Sequence, residues 1–222
     1  MVDRADFVRK TVAMIEPIRR ARTGERREQI LAVALRLFGE RGAGNVTTRQ
    51  IAEAVGISQP SLYAHFASAD AIAEELCVRS FETLQARFSA MAAEYPDPWQ
   101  RVDMLGRAYI EFGIENPDMY RIAFMPTRES GPPPGMTFDL AAHDPGLAAG
   151  LRAFGSLRDT IAEIRGRDDA HVDVIAQAIW ALVHGLTSLL ISKPYFPWAE
   201  REALVEALLA MARSYLASQK AR

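Results

Sequence analysis

Apolar residues recur at helical spacing along almost the whole chain, and no segment sustains the period-two alternation of strands. The first clear stripe, Ile30, Leu31, Ala34, Leu37 and Phe38, predicts a helix from about Glu25 to Arg41, ended by Gly42 and Gly44. Thr47 and Gln50 then have capping-box spacing, and Val46 and Ile51 the spacing of a hydrophobic staple, so a second helix starts there. Gly56 makes a turn at positive φ. Ser58 caps a third helix with Pro60 in its first turn and Ile57 and Leu62 as a second staple. This third helix reads as running through Phe66.

A fourth helix capped by Ser68 runs to about Ala93 and is broken at Tyr95-Pro96-Asp97-Pro98. Helices from about Trp99 to Glu115 and from Asn116-Pro117-Asp118 through Phe124 follow. Residues 126–146, with Pro132-Pro133-Pro134, read as a mobile loop. Three further helices span about 146–165, 169–192 and 198–218. The expected fold is all-α: an N-terminal extension or arm (1–22), a three-helix helix-turn-helix domain (23–68) and a larger helical domain (69–222). In residues 1–22, Phe7, Thr11 and Ile15 keep helical spacing until Pro17, and Arg19, Arg20 and Arg22 follow. A loose basic arm is the preferred reading, with an ordered helix or a disordered tail as alternatives.

Charge sharpens this division. The chain of 222 residues has a formal charge of −2, but residues 1–60 hold 11 Lys/Arg against 7 Asp/Glu and the remainder 15 against 21. A basic front and an acidic back suit a protein that presents one end to phosphates. The single Cys77 excludes an intramolecular disulfide and points to a reducing compartment, the cytoplasm. The longest apolar run, Val174 to Ile191, is interrupted by Gln177 and His184 and reads as an interface helix rather than a membrane span.

In the third helix, Leu62 and Phe66 share a face that packs on the first helix, leaving a polar face for DNA. Gln59 can bond an adenine edge and Pro60 can meet a thymine methyl. Ser61, Tyr63 and His65 can reach phosphates, joined by Thr47, Thr48 and Arg49 at the start of the second helix, by Ser58 and by Arg26. These residues are the DNA-binding candidates.

With these residues in place, the segment from Arg26 to Leu76 resembles the DNA-binding domain of the TetR/AcrR family of transcriptional regulators. Ile30-Leu31, Leu37-Phe38, Thr47-Thr48, Ile51-Ala52, Val55-Gly56-Ile57-Ser58 and Leu62-Tyr63-Ala64-His65-Phe66 carry the likeness. The resemblance implies a homodimer whose two recognition helices read a palindromic double-stranded operator, most often as a repressor. The family's lysines after the His-aromatic pair are absent, since Ala67-Ser68-Ala69-Asp70 stands there. The arginines at 19, 20, 22, 26 and 27 are the expected replacement grip.

Tyr109-Ile110-Glu111-Phe112, Asn116 to Arg121 and Trp180 to Gly185 are similar to the Trp-His-Gly type of C-terminal domain in this family. That implies an effector-binding domain with a dimer face on its last two helices. Ile175, Ile179, Leu182, Leu186 and Leu189-Leu190 supply one apolar surface and Leu204, Leu208, Met211 and Tyr215 the other. Met104, Tyr109, Phe112, Tyr120, Phe124, Met125, Trp180 and His184 are the candidates to line a cavity for a small, largely apolar effector. His65, His143, His171 and His184 lack zinc-ligand spacing, no phosphate-binding glycine loop is present, and no cofactor, metal or enzymatic activity is expected. The second reading is a dimeric helical ligand-binding or protein-interaction module without specific DNA binding.

Overall fold

The computed structural model describes residues 23–125 and 144–219. The basic arm and all but the end of the Pro/Gly-rich loop, His143 included, lie outside the described residues. Those described form helices α1 (Thr23–Arg41), α2 (Thr48–Val55), α3 (Gln59–Tyr63), α4 (Ala69–Glu94), α5 (Pro98–Glu115), α6 (Pro117–Phe124), α7 (Pro145–Arg165), α8 (Ala170–Ser192) and α9 (Arg201–Gln219), with a short 3-10 turn at Ala43–Asn45. The all-α fold is therefore as the periodicity predicts.

The head is built from α1, α2 and α3 around Ile30, Leu31, Leu37, Phe38, Ile51, Leu62 and Phe66, all buried, with Ile72 and Leu76 of α4 closing the cluster. Burial of each such side chain contributes about 1.5–3 kcal/mol. The local signals act as expected: Thr47 and Gln50 form a capping box, Gly56 sits at φ 77°, and Ser58 and Ser68 cap α3 and α4. One expectation is corrected. Helix α3 ends at Tyr63, and Ala64 and His65 form a turn, in which the amides of His65 and Phe66 both donate to the Leu62 carbonyl. Phe66 reaches the core from beyond the helix end.

Behind the head, α4 packs along α7, and α5 lies against α8 and α9. The last helix begins at Arg201 rather than near 198 because the Glu200 carboxylate accepts from the Ala203 amide at 2.8 Å and so caps the first turn. Helix α8 is long and apolar enough to cross a membrane by length and composition. Its Val172, Ile175, Ala176, Ile179 and Val183 are buried within the protein, so Ile175 and Ile179 belong to the core and not to the outer face predicted for them. The outward stripe is Val174, Ala178 and Ala181 together with Leu189, which was predicted to face out, and the open Gly185 lies on the same face. On α9, Met211 and Tyr215 are exposed, and Leu204 and Leu208 half-buried.

Two connections join head and body. Arg27 of α1 forms a bidentate pair with Glu75 of α4 and lies 4.5 Å over the Phe66 ring, while Arg79 bonds Glu28 at 2.7 and 2.9 Å. The short α6 packs on α1, α4 and α5 together. Its Asp118 lies where a side chain on Gly39 of α1 would stand, because a Cβ built there meets the carboxylate oxygen at 2.1 Å. Ile122 of the same helix packs on the head cluster.

The Arg27 guanidinium holds the Glu75 carboxyl below its usual range. A carboxylate with a depressed folded pKa stabilises above its unfolded pKa and loses that contribution as pH falls through the folded value. Thermal melts of E75Q should therefore lie below the unsubstituted protein near neutral pH, with the gap closing below the ordinary carboxylate range. A gap that does not change with pH would contradict the pairing. Separately, a Cβ on Gly113 would come within 2.3 Å of Thr187 Cγ2 and 2.9 Å of the Tyr120 ring. Gly113→Ala should cost about 1–3 kcal/mol by overpacking, read as a lower denaturation midpoint.

Candidate DNA-reading face and effector cavity

The exposed surface of the head is formed by the start of α2 and the whole of α3. Thr47 Oγ1 accepts from the Gln50 amide at 3.3 Å, and Gln50 Oε1 accepts from the Thr47 amide at 2.8 Å. Thr47 is thus held in its own cap. Thr48 Oγ1, Tyr63 Oη and Gln59 Nε2 form a triangle: Gln59 Nε2 donates to the other two at 3.4 and 3.3 Å, and the two hydroxyls lie 3.2 Å apart. The bonds from Thr48 and Gln59 lower the Tyr63 phenol pKa.

The triangle leaves Gln59 Oε1 without a partner in it and fixes the amide at the tip of α3. Both amide hydrogens are engaged in the triangle, so Oε1 is the group it offers outward, an acceptor for an adenine amino group, and the bidentate adenine contact requires one of the two N–H bonds to open. Pro60 and Arg49 are exposed, and Ser58 Oγ accepts from the Ser61 amide at 3.3 Å. Arg26 donates to Gln29 Oε1 at 2.9 Å along α1, and His65 is half-buried in the turn after α3. The structure brings Thr48, Gln59 and Tyr63 into one hydrogen-bonded group, which spacing alone did not foretell.

A half-open cavity of about 1530 Å³ is lined by α4, α5, α6, α7, α8 and α9 and reaches Phe38 and Gly39 of α1. Tyr109, Phe124, Met125, Trp180 and His184 of the predicted set border it; Met104, Phe112 and Tyr120 do not. Phe112 is wholly buried, with the Arg87 guanidinium 5.7 Å from its ring centroid, and Tyr120 is buried behind His184, with rings stacked 5.6 Å apart. Phe81, Phe154, Leu151 and Leu157 also line the space and were not foreseen. Their signal lay in the small residues of α7: a Cβ on Gly146 would stand 3.0 Å from Cys77 Sγ and one on Gly150 3.1 Å from the Phe81 ring.

One wall carries a chain of polar groups. Trp180 Nε1 donates to Tyr109 Oη at 3.3 Å, Tyr109 O–H to Tyr120 Oη at 3.5 Å, and Tyr120 Oη lies 2.7 Å from His184 Nδ1. Tyr109 Oη is itself 3.0 Å from that nitrogen. Burial raises the Tyr109 phenol far above its ordinary pKa, pushes that of Tyr120 up to about 12 and lowers that of His184. All three are neutral near neutral pH. Cys77, at the α7 side, is pushed up to about 11 by burial and by the Asp144 and Glu74 carboxylates, which keeps it a thiol.

Residues 30–76 match the model of bacterial regulatory proteins of the tetR family, and residues 102–212 that of the tetracyclin repressor-like C-terminal domain. The second description is broader than the Trp-His-Gly type, which stays a reading of Trp180, His184 and Gly185. The chain is 33% identical over 103 residues to the nucleoid occlusion factor SlmA of Vibrio vulnificus, a match covering 46% of this chain and 53% of that protein. It therefore spans about half the length of the curated relatives it matches. The structure superposes on the fatty acid degradation regulator FadR from Bacillus halodurans with a TM-score of 0.69 at 14% identity, covering 86% of this chain and 96% of that one. For the ketosteroid transcriptional regulator KstR2 of Mycobacterium tuberculosis the values are 0.61, 23%, 87% and 96%. At these identities the two structures establish the fold alone. With a matched N-terminal head and a matched C-terminal domain, the chain belongs to the tetR family of bacterial regulatory proteins.

Proposed function

We propose that this protein is a cytoplasmic, non-enzymatic repressor that binds a two-fold related operator as a homodimer and is released by a small, largely apolar effector. The observation that carries this reading is the double attachment of α6. Phe124 borders the cavity, and Tyr120 stacks behind His184. On the same eight-residue helix, Asp118 packs at Gly39 and Ile122 on the head core. A ligand that displaces Phe124 shifts a rigid element that the head rests on. Release then requires only that the effector bind the shifted state more tightly than the DNA-competent one.

The exposed stripe Val174, Ala178, Ala181, Gly185 and Leu189 on α8, with Met211 and Tyr215 on α9, supports the last two helices as the dimer face. Small residues at the centre of the α8 stripe let two helices approach closely. On the head, Gln59 and Pro60 are the base-reading residues in this account. Thr48 and Tyr63 orient Gln59, and Arg49, Arg26, Ser58, Ser61 and His65 meet or support phosphates.

Protection of DNA flanking the protein's own gene, persisting at moderate salt, is the expected footprint. The absence of lysines near Ala67 and Ala69 is the one feature favouring a module without specific DNA binding. Loss of preference for every such fragment over random DNA would establish that second reading. On a protected operator, Gln59→Ala should reduce discrimination at one base pair per half-site by about 1–3 kcal/mol, measured by anisotropy on single-base variants. Arg49→Ala should instead weaken operator and random DNA alike and lower the salt slope by about 1 per protomer.

A further inference from the structure

We propose that His184 Nε2–H is the polar anchor of the cavity and selects an uncharged apolar molecule bearing one oxygen acceptor, a ketone, ester or alcohol, over a carboxylate or a quaternary ammonium ion. This rests on the reading of the cavity as an effector site.

The shortest contact of the buried chain assigns the anchor. Trp180 Nε1 can only donate, so Tyr109 Oη accepts from it, and the Tyr109 O–H is directed to Tyr120. The Tyr120 hydroxyl faces two acceptors, His184 Nδ1 at 2.7 Å and the His184 carbonyl oxygen at 3.3 Å, and the shorter contact places its proton on Nδ1. An imidazole whose Nδ1 accepts carries its proton on Nε2, and no described residue makes a hydrogen bond to that nitrogen. His184 borders the cavity, so this N–H is a donor awaiting an acceptor in an otherwise apolar wall. This nitrogen is not among the buried unpartnered atoms of the described residues, so water can meet it until a ligand oxygen takes that water's place.

The charge of the lining decides the class of that oxygen. Among the described residues, the ionised groups at the cavity are the carboxylates Asp70, Glu74, Asp103 and Asp144 and the guanidinium groups Arg121 and Arg213. Both cations are already paired, Arg121 with Asp118 at 2.9 Å and Arg213 with Asp103 at 2.8 Å. A carboxylate entering this space would be stripped of water, meet an excess of negative charge and find no described cation left to pair with it. A quaternary ammonium ion offers nothing for Nε2–H to donate to. A neutral carbonyl or hydroxyl satisfies the donor at no such cost, while its chain covers Phe81, Phe124 and Phe154.

The test is competition at neutral pH against N-phenylnaphthylamine, an uncharged apolar dye whose emission rises in dry sites. The competitors are methyl undecyl ketone, laurate and dodecyltrimethylammonium, matched in chain length. The ketone should displace the dye at least about tenfold more tightly than either ion, the worth of roughly one hydrogen bond plus an avoided desolvation. His184→Phe should remove that advantage with dye binding retained, and His184→Asn, which keeps an acceptor and a donor, should restore part of it. Dye displaced equally well by laurate or by the ammonium, or a ketone advantage that survives in H184F, overturns the anchor but leaves the cavity as a ligand site. Failure of the dye and of all three chains to bind overturns the effector-site reading itself, and the anchor with it.

Discussion

Helix α6 has to satisfy two cores at once, and the rest of the molecule is arranged around that constraint. It is only eight residues long, held at its start by Pro117 and packed on α1, α4 and α5. Its head side depends on the missing side chain of Gly39, which lets Asp118 approach the α1 backbone. Its body side depends on Gly113, which leaves the Tyr120 ring room to lie flat against Thr187 and His184. Close-packed contacts of this kind respond to a displaced neighbour by moving as a unit. In the proposed mechanism this is what links the cavity to the outer surface of the head without a flexible connector.

The cavity wall shows a different economy of interactions. Four polar side chains converge in an apolar setting and bond in series from Trp180 through Tyr109 and Tyr120 to His184, leaving the outer His184 nitrogen without a described partner. Tyr120 belongs to both systems, as a member of the chain and as a residue of α6. In the proposed mechanism a ligand that alters the polar chain also acts on α6. The Arg27–Glu75 pair with its Phe66 stacking gives the head a second, electrostatic hold on α4.

The head was legible in the sequence because its determinants are local. Capping spacing at Thr47 and Gln50, the glycine at 56 and the serine before Pro60 each act within a few residues, and each is found where expected. The end of α3 was misjudged because Phe66 is buried like a helical residue, though it reaches the core from a turn. In the body, helix positions were legible but their sides were not. Helix α8 is apolar nearly all round, so periodicity placed Leu189 on the outer face but could not tell that Ile175 and Ile179 face inward while Val174 faces out. Cavity residues were harder still. Gly146 and Gly150 of α7 bring Cys77 and Phe81 close across the helix pair, a contact that spacing along one helix does not reveal, whereas the large Phe112 is wholly buried away from the cavity.

The central claim is that the cavity and the reading head share one conformational equilibrium through α6, and thermodynamic reciprocity tests it most directly. Operator affinity would be measured with and without saturating cavity ligand, and ligand affinity with and without saturating operator, by titration under one set of conditions. The account predicts that each weakens the other by the same factor, and that the factor falls toward one when Asp118→Ala cuts the contact at Gly39. Operator affinity that is unchanged by a fully occupied cavity would contradict it.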